Sequence, residues 1–210
     1  MNQSNKNEIS FFHEVLRKLT HLGALVFPIT YYFSGVSDKT FLMFMVPISL
    51  LMVVIDITRL RNRGIWRNFF KPIVSPIIRA HEQSGDFTGA TYILLSFSIT
   101  IALYSKPIAI AAISFIIVGD AFAALIGRRW GKHNFYKNKT IEGSLGCLLG
   151  TLIVAILVPD LHLAVALTGA VVAVIFEAFS FGLDDNVTVP LLSGLFMTLI
   201  SKLLVFSELI

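Results

Sequence analysis

Apolar residues in this chain come in long unbroken blocks rather than in alternation. The blocks fall at about 19–36, 40–58, 88–104, 107–126, 144–159, 162–181 and 187–206, separated by polar stretches that hold most of the charge. Each is close to the roughly 20 residues that cross a ~30 Å hydrocarbon layer as a helix. Lipid offers the backbone no water, so a run of this length satisfies its own hydrogen bonds only as a helix. The pattern predicts an all-α polytopic membrane protein with about seven transmembrane helices, the fifth being the shortest. Strands are not expected in these runs. We read 1–210 as a single integral membrane domain with an amphipathic cytoplasmic start over 1–18, no soluble domain and no internal repeat.

Composition agrees, with 55% hydrophobic and 14% charged residues and a mean hydropathy of +0.78. Of the 17 lysines and arginines, only Lys39, Lys106 and Lys202 fall on the side of the membrane opposite the N-terminus. The positive-inside rule then makes the N-terminus cytoplasmic. The pI near 9.3 reflects juxtamembrane cations, which anchor topology and attract anionic headgroups, so no nucleic-acid partner is expected. The opening MNQSNKNEIS is polar and no small-residue cleavage site follows the first apolar run, which is expected to be retained. The single cysteine, Cys147, reads as a packing residue, and the five histidines show no zinc spacing.

Acids inside apolar runs are costly and by default mark function. Asp56, Asp120 and Glu177 are such acids, all toward the cytoplasmic ends of their runs; Glu14, Glu82, Glu142, Asp184 and Asp185 lie in loops on that side. Asp56 could simply pair with Arg59 one turn on. The segment 119–146, GDAFAALIGRRWGKHNFYKNKTIEGSLG, is less easily explained. After Asp120, the small residues Ala124, Gly127 and Gly131 recur on one helix face, which could serve helix packing alone. Arg128, Arg129, Lys132 and His133 make a basic loop, and Lys139-Thr140-Ile141-Glu142-Gly143-Ser144 opens the next helix. A lysine before a Gly- and Ser-rich helix N-terminus suits a phosphate, and Asp120 or Glu142 could hold magnesium, which shares phosphates and keeps waters. There is no Walker loop.

These residues carry a resemblance. GDAFAALIGRRWGKH followed by KTIEGSLG resembles the signature of the CTP-dependent lipid kinases, namely dolichol kinase, fungal-type diacylglycerol kinase and phytol kinase. It is also similar to the middle of phosphatidate cytidylyltransferase. HEVLRKLTHLG, HEQSGDFTGATYILLS and EAFSFGLDDNVTVPL resemble further kinase motifs in the kinase order, and the cytidylyltransferase's closing His-Gly-Gly-x-x-Asp-Arg signature is missing. The resemblance covers Glu14 to Pro190.

It implies transfer of the terminal phosphate of CTP to a lipid alcohol, with Mg2+, at the cytoplasmic face. Asp120 would take the metal, with Glu142 or Asp185 as a second ligand. Lys139, with Arg128, Arg129 or Lys132, would hold phosphates, joined by Arg17 and Lys18 from the first helix. His21, Glu177 or Asp185 would serve as base. Gly127, Gly131, Thr140, Gly143, Ser144, Glu14, His81, Glu82 and Asn186 would complete the binding surface. Plainer readings stand beside these: Arg17 and Lys18 as topology anchors, His21 as a hydrogen-bonded bundle residue, and 184–186 as a solvated turn. A cytidylyltransferase and a non-catalytic lipid-phosphate binder or transporter are the alternative functions. The segment 59–87, with Trp66, Phe69 and Phe70 among cations, reads as interfacial, guiding a lipid tail or anchoring a loop. Gly127/Gly131 and Gly146/Gly150 could pack within the chain or between copies in a homo-oligomer. Diacylglycerol, polyprenols and phytol all fit the alcohol.

Overall fold

The computed structural model describes residues 11–61, 87–137, 139–179 and 183–208. Over these residues a helix falls on every apolar run: α1 (Phe11–Gly23), α2 (Val26–Phe33), α3 (Asp38–Arg61), α4 (Gly89–Leu103), α5 (Lys106–Trp130), α6 (Ile141–Leu157), α7 (Leu163–Ala178) and α8 (Asp185–Glu208). Three of them, α3, α5 and α8, are long and apolar enough to cross a membrane, while α4, α6 and α7 are shorter apolar helices. The chain is an all-α integral membrane protein.

The first apolar run is not one helix. It breaks at Ala24 and Leu25, where the chain tightens into turns that bond Ala24 N to His21 O and Leu25 N to Leu22 O, each at 3.0 Å. Pro28 supplies the reason, because it has no N–H to give Ala24 O, and its ring crowds the carbonyl four residues back. The 8-residue α2 is therefore only about 12 Å long at ~1.5 Å per residue.

A second departure from the apolar pattern lies in the loop after α5. There β1 (Asn134–Tyr136) and β2 (Lys139–Thr140) pair antiparallel, Asn134 opposite Thr140 and Tyr136 opposite Lys139. Lys137 turns the chain with φ 48°.

Helix α5 is the hub, with 72% of its apolar stretch buried against 22% for α3 and 28% for α8. It is apolar all round because other helices surround it. The α1–α2 stretch, α4, α6, α7 and α8 all pack on it, and α3 packs outside on α4. Contact with α6 is close enough that a Cβ on Gly146 would come within 2.9 Å of Phe122 O and Ile126. Gly150 also meets Phe122 and Val118, so the Gly146/Gly150 face is used within the chain. Thr140 caps α6, its Oγ1 accepting from Gly143 N at 3.1 Å, and His162 caps α7 by accepting from Ala164 N at 3.2 Å.

One intramembrane acid is structural. Asp56 is buried, and its Oδ1 accepts from Arg59 Nε at 2.9 Å. Its Oδ2 accepts from Thr88 N at 2.7 Å, Thr88 Oγ1 at 3.0 Å and Thr91 Oγ1 at 2.7 Å. This set of bonds ties the end of α3 to the start of α4, and of the two readings open for Asp56 the plainer one, pairing with Arg59, is present.

Candidate active site

The amphipathic α1 lies on α5. Lys18 and His21 are three residues apart, so they project from one face of α1. Lys18 Nζ donates to Asp120 Oδ2, and His21 Nε2 lies 3.6 Å from the same oxygen. Lys18 is only 2% exposed, and a buried ammonium at that depth is stable only with such a partner.

A second group adjoins this one. Lys139, on β2, donates to Glu177 Oε1 from the last turns of α7, and its Nζ is 3.3 Å from Asp185 Oδ2 at the start of α8. Burial acts to lower the Lys139 pKa, but the charges of Glu177, Asp185 and Asp120 outweigh it and hold it above the ordinary value of 10.5. Lys139 therefore stays cationic at any physiological pH. The Cys147 thiol, buried on α6, lies within electrostatic reach of Glu177, Asp120, Lys139 and Asp185 alike. Five elements, α1, α5, β2, α7 and α8, thus contribute charge to one partly buried cluster.

Two polar atoms in this part of the fold stand out. Glu177 Oε2 and Ser144 Oγ are buried and make no hydrogen bond among the described residues, a costly condition for groups that ordinarily find partners. Glu177 is only 3% exposed.

The other expected residues distribute as follows. Glu142 turns to its own loop: Oε1 meets His133 Nδ1 at 2.6 Å, and Oε2 accepts from Lys132 N at 3.1 Å and His133 N at 3.3 Å. The His133 hydrogen bond and these N–H groups lower its pKa to about 2. Gly127, Gly131, Gly143 and Thr140 meet one another where the end of α5 crosses the start of α6. Arg128 and Arg129 end α5 on an exposed turn, and Lys132 is exposed beyond it. Arg17 sits on α1 and is half-buried. Asn186 is buried, with N and Nδ2 bonded to Asp184 Oδ1 at 2.9 and 2.7 Å, so 184–186 forms the start of α8 rather than a free turn. The Glu14 side chain, His81, Glu82 and most of the 59–87 segment lie outside the described residues.

Among the described residues no three His, Cys, Asp or Glu side chains gather as a metal-binding group. Magnesium asks for less, since it usually takes one or two carboxylates and fills the rest of its shell with water and phosphate oxygens. Asp120, Asp185 and the unbonded Glu177 Oε2 are hard oxygen donors of that kind, so the residues present fit the ion.

The sequence did not disclose that Phe135, Tyr136 and Phe179 would meet beside this cluster. Ring centroids are 5.9 Å apart for Phe135–Phe179 and 6.0 Å for Tyr136–Phe179. The dense aromatics of NFYKNK and EAFSF were the available signal.

Comparison with known proteins locates the chain. No family model matches it, and no solved structure does. An uncharacterized protein of Rickettsia prowazekii is 29% identical over 190 residues, covering 86% of this chain and 91% of that one. The CTP-dependent diacylglycerol kinase 1 of Saccharomyces cerevisiae is 24% identical over 90% of this chain and 74% of its own length. The phytol kinase of Synechocystis is 33% identical over 57% of this chain and 58% of its own. Related matches include a chloroplastic farnesol kinase of Arabidopsis thaliana, 29% identical over 65% of this chain and 44% of its own length. Motif order, membrane helices and relatives agree: the chain is similar to the CTP-dependent diacylglycerol kinases and the phytol and farnesol kinases, and these relatives support a place in the CTP-dependent lipid kinase family.

Proposed function

We propose that this protein transfers the γ-phosphate of CTP to the hydroxyl of a membrane lipid alcohol, giving a lipid phosphate and CDP. The observation that carries this is the convergence of Lys18, His21, Asp120, Lys139, Glu177 and Asp185 from five elements into one partly buried cluster. Phosphoryl transfer needs positioning and neutralisation of spreading charge more than covalent chemistry. Lysines and carboxylates held ready for exchange meet that need.

In the structure each lysine is held by a carboxylate. When a polyphosphate enters, Lys18 and Lys139 exchange carboxylate for phosphate oxygens, and Asp120, Asp185 and Glu177 would then hold magnesium. Bound there, magnesium would supply charge neutralisation at the phosphates. The lipid oxygen attacks the γ-phosphorus, the bond to the β–γ bridging oxygen breaks, and CDP departs with that oxygen. The hydroxyl proton passes to His21, Glu177 or Asp185. The basic residues flanking the cluster support seven spans, a cytoplasmic N-terminus and a site on the cytoplasmic face.

The test is incubation of purified protein with γ-labelled CTP, magnesium and a panel comprising diacylglycerol, phytol and polyprenols, with both products identified by mass. Label is expected in an extractable lipid phosphate alongside CDP, and is lost in Lys139→Ala. Release of pyrophosphate with a CDP-lipid would move the protein to the cytidylyltransferases. Lipid-phosphate flux in vesicles without turnover would make it a transporter.

A further inference from the structure

Two of the elements that bring Lys139 to Glu177 also bring three aromatic rings together. Tyr136 is the strand partner of Lys139, and Phe179 follows Glu177 by two residues at the end of α7. Phe179 joins both ring contacts, edge to face with Phe135 at an interplanar angle of 76° and tilted by 55° against Tyr136. Phe179 is 45% exposed and Phe135 41% exposed. Lys137 Nζ lies 5.1 Å from the centre of the Tyr136 ring.

An aromatic belt at the membrane surface is the ordinary reason for exposed rings at a helix end. Rings serving only as anchors need no fixed relation to one another or to a buried cation. Here they are packed into a corner, and backbone pairing fixes that corner to Lys139.

We propose that this corner is the base-stacking site of the nucleotide, with a planar nucleobase lying against Phe179 while Lys139 takes the phosphates of the same molecule. The inference rests on the nucleotide-dependent reading above. Flat bases stack on aromatic rings whatever their identity, so the corner contributes affinity and orientation. Discrimination of cytosine from other bases must come from hydrogen bonds elsewhere.

Equilibrium binding of labelled CTP to the full-length protein in detergent, without lipid alcohol, tests this independently of turnover. Inorganic tripolyphosphate, which has the phosphates and no base, is the competing probe. Phe179→Leu keeps apolar bulk without a π face and is expected to weaken CTP about tenfold. Phe179→Trp restores binding, and the inhibition constant of tripolyphosphate stays unchanged across the variants. Unchanged CTP affinity in Phe179→Leu overturns the proposal. So does a parallel loss of CTP and tripolyphosphate, which a merely structural ring would give, or equal wild-type affinity for the two. Wild-type protein that binds neither compound would instead bring down the nucleotide reading itself.

Discussion

Asp56 and Glu177 are both acids buried in apolar helices, and their surroundings differ in kind. Each Asp56 oxygen is bonded, one to Arg59 and the other to three donors on or near α4. Glu177 has one oxygen on Lys139 and the other without a hydrogen bond among the described residues. Arginine clasps Asp56, and its guanidinium suits a fixed, directional pair. Lysines hold Asp120 and Glu177 in the candidate site, and an ammonium on a flexible stem can pass its contacts to an incoming phosphate. A fully bonded buried acid holds helices together, whereas one with an oxygen unbonded among the described residues can still accept a further donor or cation.

The strongest test of this contrast is on the structural side. Asp56→Ala leaves the Arg59 charge buried without its carboxylate, which should cost about 3–5 kcal/mol. Thermal unfolding in detergent measures it, and a melting point equal to wild type would show that Asp56 is not a structural clasp. Asp120→Asn keeps an acceptor for the buried Lys18 but not its counter-charge, so it should lower the melting point as well as turnover, the latter by about 10²–10³, read from labelled phosphate in lipid. Near-normal turnover in that variant would remove Asp120 from the chemistry. Glu177→Gln keeps an acceptor for Lys139, so the melting point should move by no more than about 4 °C while turnover collapses. A large melting shift at unchanged turnover would place Glu177 with Asp56.

The smallest effect concerns Glu142. Because its folded pKa is lowered from 4.5 to about 2, the stability it contributes is present above pH 4.5 and is lost as pH falls toward 2. Hydrogen exchange of the 131–142 loop should quicken across that window, and Glu142→Gln should abolish the pH dependence. Flat exchange in the wild type would mean that the loop is held by other contacts.

The apolar runs showed the helices plainly because lipid leaves a long apolar segment no other backbone solution. The break at Ala24–Leu25 was legible too, in Pro28 four residues beyond Ala24, but run length drowned it. The hairpin at 134–140 was not, since two short strands in a polar loop carry no periodicity. Asp120, Lys139, Lys18 and His21 could be named as candidates through their motifs, yet the pairing across 102 residues between Lys18 and Asp120 is a product of packing. Nor does spacing foretell that Glu142 turns to His133 or that Phe179 meets Tyr136.

The distance in sequence between Lys18 and Asp120 has a consequence for biogenesis. At about 5–20 residues per second, Lys18 is made roughly 5–20 s before its partner exists. Asp120 then arrives on the most deeply buried helix of the fold with its counter-charge already synthesised. The order of synthesis spares the less soluble partner the wait, so a permuted chain that makes α5 before α1 should insert poorly even though its finished form would contain the same contacts.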